Sequence, residues 1–561
     1  MLVKFFKFCL LLLFYQSPLY SKNKTLSDFN SSYLTNYFSG IVAHNNKNNS
    51  EALKFFETSK FLIKRHDNYL ERYAFSLVQE GKVQQATNEI KRNLTKDNSN
   101  FFEAHLILAL DSLKKKNYKK SKEYLNKSYA FIYNEKIPLA IIETLKQYLY
   151  VFEENKVPTT KKNLGNFSFI NEVFQRCYLG DKNTKNYFNS LINNEKDQDY
   201  SRYIFFYLNY LIANNENDEA KKIASNLDYL NSSLLISQGK KWIEEEKLKE
   251  FKKIFSCRDP NDILGELFFL VANLYSSQGA YDKSIFYLNI SDYLNPKFKY
   301  NKTLLAENHF LNKDYSKTSK ILKSFDKKDN FYYWFKLKKE AQIIFITKNE
   351  DESLSFINSR FKKIKEPSIK IIFDIANINK NSKKFKEAIN YYNQILLKIN
   401  TKSELYADIL YRRGSSFERL SDYKNSDKDL LESLKINPDN AYVLNYLAYS
   451  WLERDYNIDS ALQMLEKAYV LKSNDAYIID SIGWAYYLVN DFTKAENFLK
   501  RAVELMPNDP VVIDHYGDIL WRLDRRIQAR YFWESVLKLK ETEEIIKKNI
   551  KSKLIEGLKN S

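Results

Sequence analysis

The chain has 561 residues, beyond the size at which one hydrophobic core keeps growing, so it is either several domains or an array of repeats. Only 11 Gly and 9 Pro punctuate it while 44% of its residues are hydrophobic, which reads as nearly all helix with few tight turns and not as disorder. The net charge of +18 is uneven, because residues 407–540 hold 18 Lys+Arg and 21 Asp+Glu, a balance of −3 that leaves +21 elsewhere. Drift toward A/T-rich codons produces the same excess of Lys, Asn, Ile, Phe and Tyr, so charge alone does not establish an anionic partner.

At the N-terminus Lys4 and Lys7 precede the apolar run Phe8 to Tyr15, and a polar segment follows from Gln16. That order reads as a secretory signal peptide over residues 1–21, too short to span a bilayer, with cleavage after Ser21 and Leu19 at −3. Export to the periplasm is the expected localisation, with an uncleaved N-terminal membrane anchor as the alternative. Cys9 follows Phe8 where a lipoprotein signal needs small residues, so lipidation is not expected. Cleavage removes Lys4 and Lys7 and lowers the charge from +18 to +16. The remaining Cys177 and Cys257 are 80 residues apart, more than two repeats along a stack in which each repeat touches only its neighbours. No bridge between them is expected.

Small residues twelve apart mark the first units: Gly40 and Ala52, Ala74 and Ala86, Ala109 and Ser121, opening near Tyr33, Asp67 and Phe102. They define an N-terminal array over 33–155. A linker follows over 156–167, where Pro158, Thr159, Thr160 and Gly165 give the most loop-like internal stretch. Residues 168–400 form a degenerate array, with Ala220 in one unit, Ala272 and Ser284 in the unit ending at Pro296, and Ala376 and Ala388 in another. Arg258-Asp259-Pro260 is a second candidate seam.

The period is clearest over 407–540, where Gly414, Ala448, Gly483 and Gly517 follow at intervals of 34, 35 and 34. Ser426, Ala461, Ala495 and Ala529 recur in step with them, as do Ser433, Ala468, Ala502 and Val536. Small side chains at these places let the two helices of a hairpin approach closely. Aromatic rings such as Phe417, Trp451 and Tyr486 fill the space beside the contact, and Pro438 and Pro507 stop second helices. Beyond Lys540, residues 541–561 place Ile546, Ile550, Leu554 and Leu558 on one stripe, as a capping helix requires.

This pattern resembles the tetratricopeptide-repeat (TPR) family. The run from Asn445 to Lys540, including "NYLAYSWLERDYNIDSALQMLEKA", "DSIGWAYYLVNDFTKAENFLKRAVELMPNDP" and "DHYGDILWRL", is similar to the C-terminal arrays of exported bacterial TPR proteins of unassigned function. The resemblance implies an all-α, right-handed superhelical solenoid of about 15 hairpins with a C-terminal capping helix. It also implies a scaffold or adaptor for protein–protein interaction, often in cell-envelope assemblies.

In TPR arrays the inner wall comes from positions 2, 5, 9, 12 and 13 of each first helix. Carried over, position 5 is Tyr411, Asn445, Asp480 and Asp514; position 9 is Ser415, Tyr449, Trp484 and Asp518; Tyr487, Trp521 and Arg522 complete the wall. The rings offer rigid contact area and the carboxylates would set the register of a cationic ligand. Lys, Arg and Asn of a carboxylate clamp are missing from position 5, so the expected partner is a protein or extended peptide that is aromatic, neutral or basic.

No metal site, cofactor or catalytic residue is expected. The five His include no H-E-x-x-H pair, and C-x-x-C, G-x-G-x-x-G, P-loop and G-x-S-x-G patterns are absent. Asp514 and Asp518 share a helix face while the adjacent His515 is turned elsewhere, which suits a groove wall better than an acid/base pair. A small-molecule substrate and a nucleic-acid partner are therefore not expected. An anionic polymer or a peripheral contact with a membrane surface, through the basic N-terminal and middle repeats, is the alternative reading.

Overall fold

The computed structural model describes residues 31–558 apart from 67, 94–99, 133–134, 160–161, 194–200, 228–229, 231 and 541, so the signal peptide expected over 1–21 lies outside the described residues. Thirty α-helices and no strand occur among them. They fall into two compact units divided after Phe335, inside the helix Asn330–Thr347. The stretch expected over 156–167 to link the N-terminal array to the rest lies within the first unit, and its last two residues already belong to the helix Asn166–Leu179.

In the second unit the repeat has a visible local cause. Asn440, Asp475 and Asp509 each accept two backbone N–H groups at the start of a first helix: Ala441–Leu452, Ala476–Leu488 and Pro510–Arg522. Each first helix, Glu404–Glu418 included, is followed by a residue of left-handed conformation, Ser421, Asp455, Asn490 and Asp524, and the second helix begins two or three residues later. The scarcity of glycine therefore does not mean few turns; short polar side chains carry them instead. The second helices Tyr423–Ile436, Ile458–Leu471, Phe492–Leu505 and Arg526–Lys538 run back along their partners.

The close approach inside a hairpin also has a specific geometry. A methyl group added at Gly414, Gly483 or Gly517 would meet the residue sixteen positions on, Leu430, Leu499 or Trp533, and at Gly483 the gap would be 2.8 Å. The same offset joins Gly40 to Phe56 in the first unit. At Ser121 and Ser284 the hydroxyl of the small residue bonds the opposing carbonyl, of Ala109 at 2.9 Å and of Ala272 at 2.7 Å, whereas the Ser426 hydroxyl is buried without a hydrogen-bond partner among the described residues. The terminal helix Glu544–Glu556 buries Ile550 fully and packs Ile546, Leu554 and Leu558 on the core of the last repeats, as its stripe demands.

The first unit departs from a simple stack. Its hairpin Pro260–Ser277 and Tyr281–Leu294 folds back onto the early helices Tyr69–Gln79 and Val83–Arg92. Phe75 stacks on Phe286 at 5.1 Å, Gln79 Nε2 donates to the Asp282 carbonyl, and Asn289 Nδ2 donates to the Gln79 carbonyl at 3.1 Å. Lys317 pairs with Glu80 at 2.6 Å. The same hairpin packs on the helix Asn166–Leu179.

This overturns the exclusion of a Cys177–Cys257 bridge. The two residues form a disulfide with their Cα atoms 5.8 Å apart. The premise that each repeat touches only its neighbours fails, because the fold-back brings the segment 256–262 against the end of the helix that carries Cys177. Arg258 Nη1 donates to the Tyr178 carbonyl at 2.6 Å, and Asp259 caps the helix that Pro260 opens. The Arg258-Asp259-Pro260 stretch is thus a pinned corner and not a seam. Deeper in, Arg202 makes two hydrogen bonds to Glu266, 2.8 and 2.6 Å, across 64 residues of chain. Glu266 is buried and Arg202 largely so, and pairing is what makes burial of the carboxylate tolerable.

Candidate functional site

The inner positions of the second unit come from four first helices, Glu404–Glu418, Ala441–Leu452, Ala476–Leu488 and Pro510–Arg522, which pack on one another in succession. Side-chain contacts join the first of them to the second and the third to the fourth. Tyr411 meets Tyr446 edge-on at 5.8 Å, and the Tyr446 hydroxyl donates to Glu418 at 2.8 Å. Burial raises the phenol of Tyr411 above its ordinary range. Upstream, Lys380 of the helix Ile369–Asn381 donates to the Ser415 hydroxyl at 2.6 Å. Burial, with Arg412 and Arg419 nearby, pushes Lys380 down to about 8. The inner wall therefore begins at a basic end.

Asn445 and Tyr449 sit half-buried in the middle. The Asn445 Oδ1 is buried without a hydrogen-bond partner among the described residues. Tyr449 is raised by burial first, then by the carboxylates of Glu453, Asp480 and Asp514 around it.

Further along, the carboxylates already have partners. Asp480, 5% exposed, accepts from His515 Nδ1 at 3.1 and 3.0 Å. Trp484 stacks on that imidazole at 4.2 Å and on Tyr487 at 4.6 Å, and Arg522 Nε donates to the Tyr487 hydroxyl at 3.0 Å. Burial, the largest single influence, would lower the His515 pKa, but Asp480, Asp514 and Asp518 together outweigh it, and the net shift is upward. His515 is thus not turned away from the acidic groups as the helical spacing alone suggests; it faces the acid of the preceding first helix.

Asp514 and Asp518 share one ammonium. Lys553 of the terminal helix lies 2.6 Å from Asp514 and 2.7 Å from Asp518, and Trp533 Nε1 donates to Asp518 at 3.1 Å. Burial and the neighbouring Asp514 carboxylate push Asp518 up to about 6, while Lys553 opposes them. Trp521 packs against Trp533 at 5.4 Å, with the Arg526 guanidinium 5.4 Å from its ring. So of the ten candidate groove residues, Asp480, Asp514 and Asp518 are engaged within the chain, and the rings of Tyr411, Trp484 and Trp521 pack on other side chains. Tyr449 and Asn445 lie between them. The repeat register does not pick out His515 or Lys553, since one is at a position outside the inner set and the other lies beyond the last repeat.

Comparison with known proteins places these features in context. Residues 407–440 match the tetratricopeptide-repeat family model. A TPR repeat-containing protein of Pseudomonas aeruginosa is 33% identical over 100 residues, which is 18% of this chain and 17% of that protein's own length. Among solved structures, a thermophilic TPR protein of Thermus thermophilus covers 34% of this chain and 100% of its own at 16% identity and a TM-score of 0.30. MamA of Desulfovibrio magneticus RS-1 covers 31% of this chain and 97% of its own at 20% identity and a TM-score of 0.27.

Proposed function

We propose, from the tetratricopeptide-repeat match over residues 407–440 and the repeated helix hairpins, that the chain is an exported scaffold whose second unit binds an extended protein segment along the inner wall described above. Repeats of this class mediate protein–protein interaction. What carries the reading to this wall is its connectivity: Tyr411 to Tyr446, Asp480 to His515 and Tyr487 to Arg522 each tie one first helix to the next. A wall tied together in this way is pre-organised, which reduces the ordering cost of binding.

The partner is an aromatic or neutral segment lying over Asn445 and Tyr449, or a basic one that displaces Lys553 from Asp514 and Asp518. Export, with a role in a cell-envelope assembly, is supported by the signal-like order of residues 1–21 and by the Cys177–Cys257 disulfide, since such bonds persist in oxidising compartments. Affinity capture with the wild type and a Tyr449→Ala, Arg522→Ala double variant tests the wall. Loss of captured proteins from the variant is expected, and an unchanged set would remove the wall from the account.

A second reading places an anionic polymer or membrane surface on the basic N-terminal and middle repeats, since the residues outside 407–540 together carry +21. Binding to anionic vesicles or polyphosphate should then weaken steeply between about 50 and 200 mM salt. Salt-independent binding would exclude it.

A further inference from the structure

We propose that the corner pinned by the Cys177–Cys257 disulfide in the first unit is a binding site for a phosphate-bearing ligand, held by lysine and arginine side chains around one cavity. The cavity has a volume of about 500 Å³ and is lined by Lys114, Lys116, Lys252, Arg258 and Lys297, with Asp259 and Asp262 as the acidic groups among its lining residues. It lies where the fold-back brings residues 113–118 against residues 252–262. A site here gives the anionic partner of the second reading above one place and one chemistry, and it rests on that reading.

Charge does not balance at this corner. Five cations face two carboxylates, and none of the five is in an ion pair among the described residues. Both carboxylates are turned to backbone N–H groups instead: Asp259 accepts from Asn261 at 2.9 Å and Asp262 from Ser256 at 2.8 Å. Close by, Lys91 and Lys115 share the Asp111 carboxylate, so the same helix end neutralises some of its lysines and leaves Lys114 and Lys116 without a counter-charge. The excess of three positive charges is gathered by folding, and a multiply charged anion removes the repulsion. The helix Pro260–Ser277 opens at the cavity, and the positive end of its dipole adds to the field.

The donor set selects phosphate over carboxylate. Four of the five cations are lysines, each a point charge with three donors, and they can surround a tetrahedral oxyanion from several sides. A planar carboxylate is better matched by guanidinium forks, and Arg258 is the one guanidinium among the lining residues. Arg258 is fixed in place, because its Nη1 donates to the Tyr178 carbonyl at 2.6 Å and its neighbour Cys257 is disulfide-bonded. Ser256 adds a hydroxyl that accepts from the Arg258 N–H at 3.2 Å and keeps its own proton to donate. A charge excess of this size suits a diphosphate or a phosphomonoester better than a monoanion.

The test is calorimetric titration of the full chain with sodium pyrophosphate at about 50 mM salt, with citrate as the carboxylate match, beside sedimentation with vesicles of phosphatidylcholine and phosphatidic acid. Saturable binding of pyrophosphate is expected, weakened about tenfold by the pair Lys252→Gln, Lys297→Gln and unmoved by the remote pair Lys327→Gln, Lys328→Gln. All four lysines are exposed, so the variants keep the fold, which the far-ultraviolet spectrum checks. Vesicle association that the first pair abolishes would identify a lipid headgroup as the source of the phosphate, and pyrophosphate binding without vesicle association a free phosphate compound; either supports the site. Equal weakening by both pairs would leave the diffuse anionic reading standing and overturn the site. Citrate binding as tight as that of pyrophosphate would overturn the phosphate assignment, and no saturable binding below roughly 10 mM would overturn the site and the reading beneath it together.

Discussion

His515 Nδ1 lies 3.0 Å from a carboxylate oxygen of Asp480, tying two successive first helices through a buried, charge-assisted hydrogen bond. Because its folded pKa is raised above the ordinary 6.5, the stabilisation is fully present below that value and is lost as pH rises through the folded pKa. Denaturant unfolding of the second unit should show stability falling as pH climbs above the ordinary histidine range. His515→Gln should flatten that slope, and a slope unchanged in the variant would contradict the assignment.

The first unit should respond in the opposite sense. Burial and Lys317 lower His309 to about 4 from 6.5, so its folded state favours the neutral ring. Stability is complete above about 6.5 and lost as pH falls toward 4, by on the order of 3 kcal/mol for this group. Unfolding curves read from probes in each unit between pH 4 and 8 would reveal the two opposed trends, and His309→Gln should remove the acidic loss.

Lys553→Met leaves Asp514 and Asp518 without their shared ammonium. The cost at neutral pH is expected to be about 3 kcal/mol, the usual penalty for stranding a buried charge. Since Asp518 is already pushed up to about 6, its protonation near pH 5 should recover much of the loss. A deficit independent of pH would mean that Lys553 acts through packing alone.

Cys177→Ser opens a bond that closes 80 residues of chain. A loss of about 4 kcal/mol is expected from loop entropy. It should be confined to the unfolding transition of the first unit and be reproduced by reductant on the wild type. An equal loss in the second unit would show that the two transitions are not independent.

Gly483→Ala tests the hairpin offset, because the added methyl would stand 2.8 Å from Leu499. A cost of about 1–3 kcal/mol is expected. Gly279→Ala is no control, being at positive φ with open space around it, where strain and not contact sets the cost. The informative companion is Leu499→Ala in the same chain: it removes the two nearest obstructing atoms and leaves only the backbone nitrogen at 3.1 Å, so the double variant should be less damaged than the sum of the singles.

The hairpins were legible in the chain because their contacts are local. Gly483 and Leu499, Ser284 and Ala272, and the caps at Asn440, Asp475 and Asp509 all act within about half a repeat, so a fixed spacing records them. The terminal stripe through Ile550 was legible for the same reason. The candidate wall was readable as a set of positions but not as a state. Whether Asp514 and Asp518 meet a ligand or Lys553 depends on a helix that follows the last repeat, whose charged residues carry no register.

Sequence by itself thus determined the repeated hairpin, because one helix turn, one left-handed residue and one close contact recur at fixed intervals. Tertiary structure alone decided the disulfide, the fold-back of the Pro260–Leu294 hairpin and the basic cavity at its start. The contact of Phe75 with Phe286 depends on small rotations summed over every intervening helix pair, and no local spacing encodes that sum.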